Sequence, residues 1–177
     1  HSLGAATADK AVLDEALAAY QSVLDMLPNG EKGDDWARTR NNMAVVLHTL
    51  GEREEGRDNL VLAREMFEET LPILAAAGDD ASWAAAQNNI GNILYLLGQR
   101  SGDSAMIAEA IEVYRAALEK RPRETMRRDW AATQGNIGLA TAVLAELRPD
   151  LASYEQAEAA YRAALDALTR EGEPVEW

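Results

Sequence analysis

Asn88, Asn89 and Asn92 fall within one stretch, "SWAAAQNNIGNILYLLG" (Ser82–Gly98), whose apolar spacing is helical. Asn is a poor residue inside a helix, because its amide competes for backbone groups. Three of them so close therefore call for a partner. Asn88 and Asn92 are i, i+4, and Asn92 and Tyr95 are i, i+3, so all three share one helix face. An Asn amide both donates and accepts, which matches the N–H and C=O of a peptide unit. The chemistry on offer is recognition of a main chain, not bond making.

Catalysis has little to work with. The chain has two His, His1 and His48, and no Cys. It has no Gly-rich phosphate loop and no metal-ligand spacing. His48 has no predictable carboxylate partner, and the Ser and Thr residues have no base nearby in the pattern. The reading is that the chain is not an enzyme and has no catalytic residue, metal site or cofactor.

Composition narrows the partners. A net charge of −13 argues against nucleic acid, which needs a basic footprint, and against anionic membrane surfaces. No apolar run reaches the roughly 20 residues needed to cross a bilayer. The absence of Cys and of a signal-peptide pattern fits a cytoplasmic protein. A hydrophobic content of 47% is ample for a core, and the abundance of Ala, Leu and Glu favours helices.

The elements that would position the amides repeat. Trp36, Trp83, Trp130 and Trp177 are each 47 residues apart, as are Asn42, Asn89 and Asn136. The same step relates Ala16, Ala63, Ala110 and Ala157, the aromatics Tyr20, Phe67, Tyr114 and Tyr161, and Leu24, Leu71, Leu118 and Leu165. Each unit reads as two helices. The first runs from about Trp36 to Leu50, with Asp35 as N-cap (Ser82 and Asp129 later) and Gly51 or Gly98 as C-cap. Its apolar stripe is Trp36, Met43, Val46, Leu47 and Leu50. After the connector "EREEGRDN", the second helix runs from roughly Leu60 to Ala77, with Leu60, Ala63, Phe67 and Leu71 inward. One such pair cannot bury its apolar face alone, so the units must stack.

The spacing divides the chain into a partial unit 1–35, full units 36–82, 83–129 and 130–176, and the start of another at Trp177. "HSLG" at 1–4 aligns with "HTLG" at 48–51, so a first-helix tail is expected at the start, and the chain reads as a fragment of a longer array. His1-Ser2 reads equally as a vector remnant.

"EAIEVYRAALEKRP" sets Ala110, Tyr114, Ala117 and Pro122 at the spacing of the tetratricopeptide repeat, and "EALAAYQSVLDMLP" repeats this with Ala16, Tyr20 and Pro28. "NIG" at 89–91 and 136–138 resembles that family's Leu-Gly pair, and the "NN-apolar-small" wording resembles its kinesin-light-chain-like and long-period bacterial branches. The period exceeds the usual repeat of about 34 residues. Leu47, Leu94 and Thr141 replace the family's Tyr, and Thr169 stands where Pro122 predicts proline. HEAT or armadillo units also suit the step, but the Ala–Tyr–Ala–Pro register favours the tetratricopeptide assignment. The resemblance implies an all-α fold: a right-handed superhelical α-solenoid of antiparallel helix pairs, about seven helices here.

It further implies that first helices line a concave groove. The facing positions would be Arg38, Asn41, Asn42, Val45 and His48; then Ala85, Asn88, Asn89, Asn92 and Tyr95; then Gly135, Asn136 and Leu139. Helices about 8–10 Å apart would place Asn42, Asn89 and Asn136 at roughly every third residue of an extended ligand. The bland alternative is that these amides bond the adjacent helix and hold the superhelical pitch. "EKRPRETMRRD", with Lys120, Arg121, Arg123, Arg127 and Arg128, reads as a solvated turn or, alternatively, a docking patch for an acidic partner. The Trp row reads as core or inter-repeat packing. The expected function is binding of a partner peptide or helix. Alternatives are a structural spacer, self-association into a homo-oligomer through exposed array ends, or a regulatory array in a larger protein.

Overall fold

The computed structural model describes residues 2–27, 32–53, 57–149 and 151–169. Pro28, positions 54–56 of the connector, His1 and Trp177 lie outside them, as does the end of the last unit. The described residues form seven helices and no strand: α1 (Ser2–Met26), α2 (Asp34–Arg53), α3 (Asp58–Ala77), α4 (Asp80–Ser101), α5 (Ser104–Glu119), α6 (Arg127–Leu147) and α7 (Leu151–Thr169). The described residues are all-α, and within each of the two compact units consecutive helices pack on one another, as in a helical repeat.

Two compact units divide inside α4, at His1–Asn89 and Ile90–Trp177. In the first, α2 packs on α1 and on α3. Met43, Ala44, Leu47 and Leu50 of α2 are buried with Leu60, Ala63, Phe67 and Leu74 of α3. The inward stripe of α3 is thus close to the expected one, except that Leu74 is buried where Leu71 is only partly so. In the second unit, α6 packs on α5 and on α7. Its core joins Ile93 and Leu94 of α4, Ile107, Ala110 and Tyr114 of α5, Ala140 of α6 and Ala167 of α7. Full burial of a Leu- or Phe-sized side chain contributes about 1.5–3 kcal/mol, so these few positions dominate stability.

Several expected boundaries move. α1 is unbroken from Ser2, not the tail of one helix followed by a second. Helix starts fall earlier than Asp35, Ser82 and Asp129. Asp79 caps α4 by accepting the Ser82 N–H (3.0 Å), and α6 starts after Met126 without a side-chain cap. Gly51 and Gly98 lie inside α2 and α4 and end neither helix. A Cβ at Gly51 would come within 2.5 Å of Leu60, and one at Gly98 within 2.8 Å of Ile107. These glycines let the paired helices close in. The true C-terminal glycines are Gly78 and Gly102, at φ 69° and 68°, left-handed geometry that glycine adopts without strain.

The Trp row departs from simple core packing. Trp36 is half-buried, with Lys32 and Arg40 at 4.8 and 5.8 Å from its ring centroid. Trp130 packs partly against Ala131, Ala164 and Ala167, with Arg123 at 5.1 Å above it. Each ring takes a cation over it, and Trp130 also packs on alanines. This also accounts for part of the basic cluster. Arg123 pairs with Asp166, and Arg121 is buried, donating from Nη1 to Thr133 Oγ1 (2.7 Å). Neither a solvated turn nor a docking patch describes these two residues.

Candidate functional site

In the first unit, α2 carries Arg38, Asn41 and Asn42 on successive turns of one face. With Leu74, Asp79 and Ser82 they line an open cleft of about 250 Å³. The Schellman-type turn at Gly78 brings the chain back so that Asp79 both caps α4 and borders this cleft: Asp79 N–H donates to Leu74 O (3.0 Å). The Asp79 carboxyl is held below the usual carboxylate range, by the Ser82 backbone N–H first, then the Ser82 hydroxyl, with Arg38 adding to both. It is ionised at neutral pH. The cleft thus has a cation (Arg38) and an anion (Asp79), with amides between them. Asn41 Oδ1 is buried without a hydrogen-bond partner, an acceptor that costs free energy until a donor reaches it.

His48, expected on the same surface, is buried. Its Nε2 lies 3.5 Å from Glu52 Oε1 and makes no hydrogen bond. Desolvation lowers its pKa, with Glu52 opposing, so the ring does not present a cation to a ligand. Val45 is exposed. Asn88 and Asn89 are half-buried on α4 at the end of this unit.

The second unit ties its amides together. Tyr114 Oη donates to Asn92 Oδ1 (2.8 Å), and Asn136 Nδ2 donates to the same oxygen (3.1 Å). One Asn thereby links α4, α5 and α6. Tyr114 reaches Asn92 because Gly91 leaves room: a Cβ there would stand 2.5 Å from the ring. Both lone pairs of Asn92 Oδ1 are taken, so its remaining capacity is the Nδ2 donor pair. Burial pushes the Tyr114 hydroxyl far above its usual pKa, with Tyr95 adding, so it remains a neutral donor. Tyr95 is also raised, by burial first and then by Tyr161 and Glu146, and its Oη accepts from Gln99 Nε2 (3.2 Å).

The structure therefore brings Arg38, Asn41 and Asn42 into one cleft and joins Asn92 to Asn136, with Tyr95 near Tyr114 and Tyr161. Sequence reasoning missed Asp79 and Tyr114. Asp79 had a signal, since Gly78-Asp79 precedes Ser82 at N-cap-to-N3 spacing. Tyr114 had one in the repeat itself: Asn92 and Tyr114 are replaced by Val45 and Phe67 one step earlier, so amide and hydroxyl are absent together.

Among the described residues, no helix is long and apolar enough to cross a membrane, and no group of three or more His, Asp or Glu is placed to hold a metal. Residues 83–124 match the family model described as tetratricopeptide repeat. No curated protein matches the chain. Among solved structures, it is similar to one titled "DHF58 filament", at 14% identity and a TM-score of 0.46, covering 91% of this chain and 82% of that one. The matched stretch is similar to a tetratricopeptide repeat and contains the Ala110, Tyr114, Ala117 and Pro122 that carry the resemblance.

Proposed function

We propose that this tetratricopeptide-repeat chain is a protein-interaction module that captures the main chain of a partner peptide through Asn side chains. The family match supports the coarser statement, a protein-interaction or scaffold role. The finer one rests chiefly on Asn41, whose Oδ1 is a buried acceptor without a donor beside an open cleft. A ligand N–H is the group that would satisfy it. Asn92 offers the converse, a donor whose acceptor side is already occupied. Each amide by itself can match one polar group of a peptide unit without reading its side chains, Asn41 in the first unit and Asn92 separately in the second. Arg38 and Asp79 at the cleft then add preference for charged residues on the ligand. Units 36–82, 83–129 and 130–176 are the repeats in this reading, with Asn42, Asn89 and Asn136 as their common amide.

The test is selection of binders from an unbiased displayed peptide library, followed by titration against variants. Asn41→Ala is expected to weaken binding about tenfold or more with helicity and melting temperature near wild type. Selected peptides that bind Asn41→Ala and Arg38→Ala as tightly as wild type would exclude the cleft.

A further inference from the structure

We infer that α5, α6 and α7 form a binding site for a small, uncharged, mostly apolar molecule that carries a hydroxyl or carbonyl group. This site is separate from the Asn positions. The three helices line a cavity of about 460 Å³ that opens to solvent, a size typical of small-molecule pockets. Leu118 of α5, Ile137 of α6, and Ala160 and Ala163 of α7 supply apolar walls. Gln134 and Gln156 add amides. On α7 the lining turns back toward α5: Ala159 and Ala163 stand about 160° around the helix from the exposed Tyr161 and Leu165.

The 47-residue register shows how the cavity arises. Thr141 stands where Leu94 and Leu47 do, and Ala160 where Val113 and Met66 do. Leu94, Leu47 and Met66 are at most 5% exposed, so each fills space in its own repeat. In the first full repeat, Arg40 of α2 also pairs with Glu69 of α3 at 3.1 Å. Its counterparts are Gln134 and Ala163, which form no ion pair. The intervening repeat has Gln87 and Ala116 at these positions but retains Leu94 and Val113. Of the three, the last repeat alone combines both losses of volume with the loss of the ion pair. Removing large side chains from a core is destabilising where nothing fills the space.

A buried hydroxyl at the cavity points to the ligand's chemistry. Thr39, Thr49, Thr133 and Thr169 each donate their hydroxyl to the carbonyl four residues back, and Thr70 donates to the one three back. Thr141 is 4% exposed and lines the cavity, yet its hydroxyl has no hydrogen-bond partner among the described residues. A buried hydroxyl left unpaired costs free energy, and a ligand hydroxyl or carbonyl supplies the partner. Among the described residues no carboxylate lines the cavity, and its one cation, Arg115, is paired with Glu112 at 2.6 Å. Neither an ammonium nor a carboxylate would find a free counter-charge there, so the occupant is neutral.

The probe is 2-naphthol, titrated into the 177-residue chain while methyl resonances are followed by NMR. Saturable shifts should gather on Leu118, Ile137, Thr141, Ala160 and Ala163. The charged analogue 2-naphthoate should bind about tenfold or more weakly. Thr141→Val keeps the shape and removes the hydroxyl, so it should weaken 2-naphthol about threefold to tenfold and leave naphthalene unaffected. Thr141→Leu and, independently, Ala160→Met restore the residues of the first full repeat and should abolish binding with circular dichroism unchanged. Asn41→Ala should have no effect on this probe. The proposal is overturned by the absence of saturable shifts at these methyls, or by equal affinity for 2-naphthoate. It is also overturned if the filled variants bind as wild type does, or if naphthalene shares the loss seen with Thr141→Val.

Discussion

The Tyr114 hydroxyl on α5 donates to Asn92 Oδ1 on α4 across 2.8 Å. Together with Asn136 Nδ2 on the same oxygen, it converts an apparently misplaced helix Asn into a three-helix tie. The repeats state the rule behind it. With Phe67 the matching residue is Val45, and with Tyr114 it is Asn92. A buried hydroxyl needs an acceptor and a buried ring does not.

A double-mutant cycle on this pair follows. Asn92→Val strands the Tyr114 hydroxyl and should cost about 1–3 kcal/mol. Tyr114→Phe alone should cost about 1 kcal/mol. The double variant restores the Val/Phe combination of the preceding unit and should lose less than the sum, with a coupling of at least about 0.5 kcal/mol. Chemical denaturation of the four proteins reads it. Strict additivity would mean that the bond contributes nothing.

Glycines inside the helices divide into two kinds. A Cβ at Gly91 would stand 2.5 Å from the Tyr114 ring, whereas at Gly135 nothing lies within 4 Å. Gly91→Ala should therefore destabilise by about 1–3 kcal/mol through overpacking. Gly135→Ala should stabilise by about 0.5–1 kcal/mol, since it removes glycine's backbone entropy from a helix interior. Melting temperatures of the two variants should move in opposite directions.

The buried His48 gives a pH dependence with a defined sign. Its folded pKa is lowered, chiefly by desolvation, so the unfolded chain binds its proton more readily. Its effect is absent above the unfolded value of about 6.5, and stability falls as pH drops below it. Thermal melts between pH 7.5 and 5.5, above the ordinary carboxylate range, should show this loss. His48→Gln should flatten the slope over that window, and a slope unchanged by the substitution would assign it to other groups.

Much of this was legible in the residues. The 47-residue step anticipates the helices from α2 to α7 in alternating order, whereas α1 is one unbroken helix where two were expected. Helix ends were less legible. Gly51 and Gly98 carry the composition of a C-cap, yet their role is to admit Leu60 and Ile107, which depends on a neighbouring helix. Arg121 has the look of a solvated cation, and only the position of Thr133 on α6 shows why it is buried. Asn92 lies between these cases. Its poor helix propensity signalled a partner, but the choice between ligand and Tyr114 needed three helices in place.

The same distinction applies to Asn41, whose Oδ1 has no donor. The most direct measurement is a cycle across the interface: a library-selected peptide and its N-methylated analogues, each titrated against wild type and Asn41→Ala. At one ligand residue, N-methylation should lower affinity about as much as Asn41→Ala does, and the two changes together should lower it little further. If no single N-methylation weakens binding, or if every such loss adds fully to that of Asn41→Ala, the partner's main chain is not held by this amide.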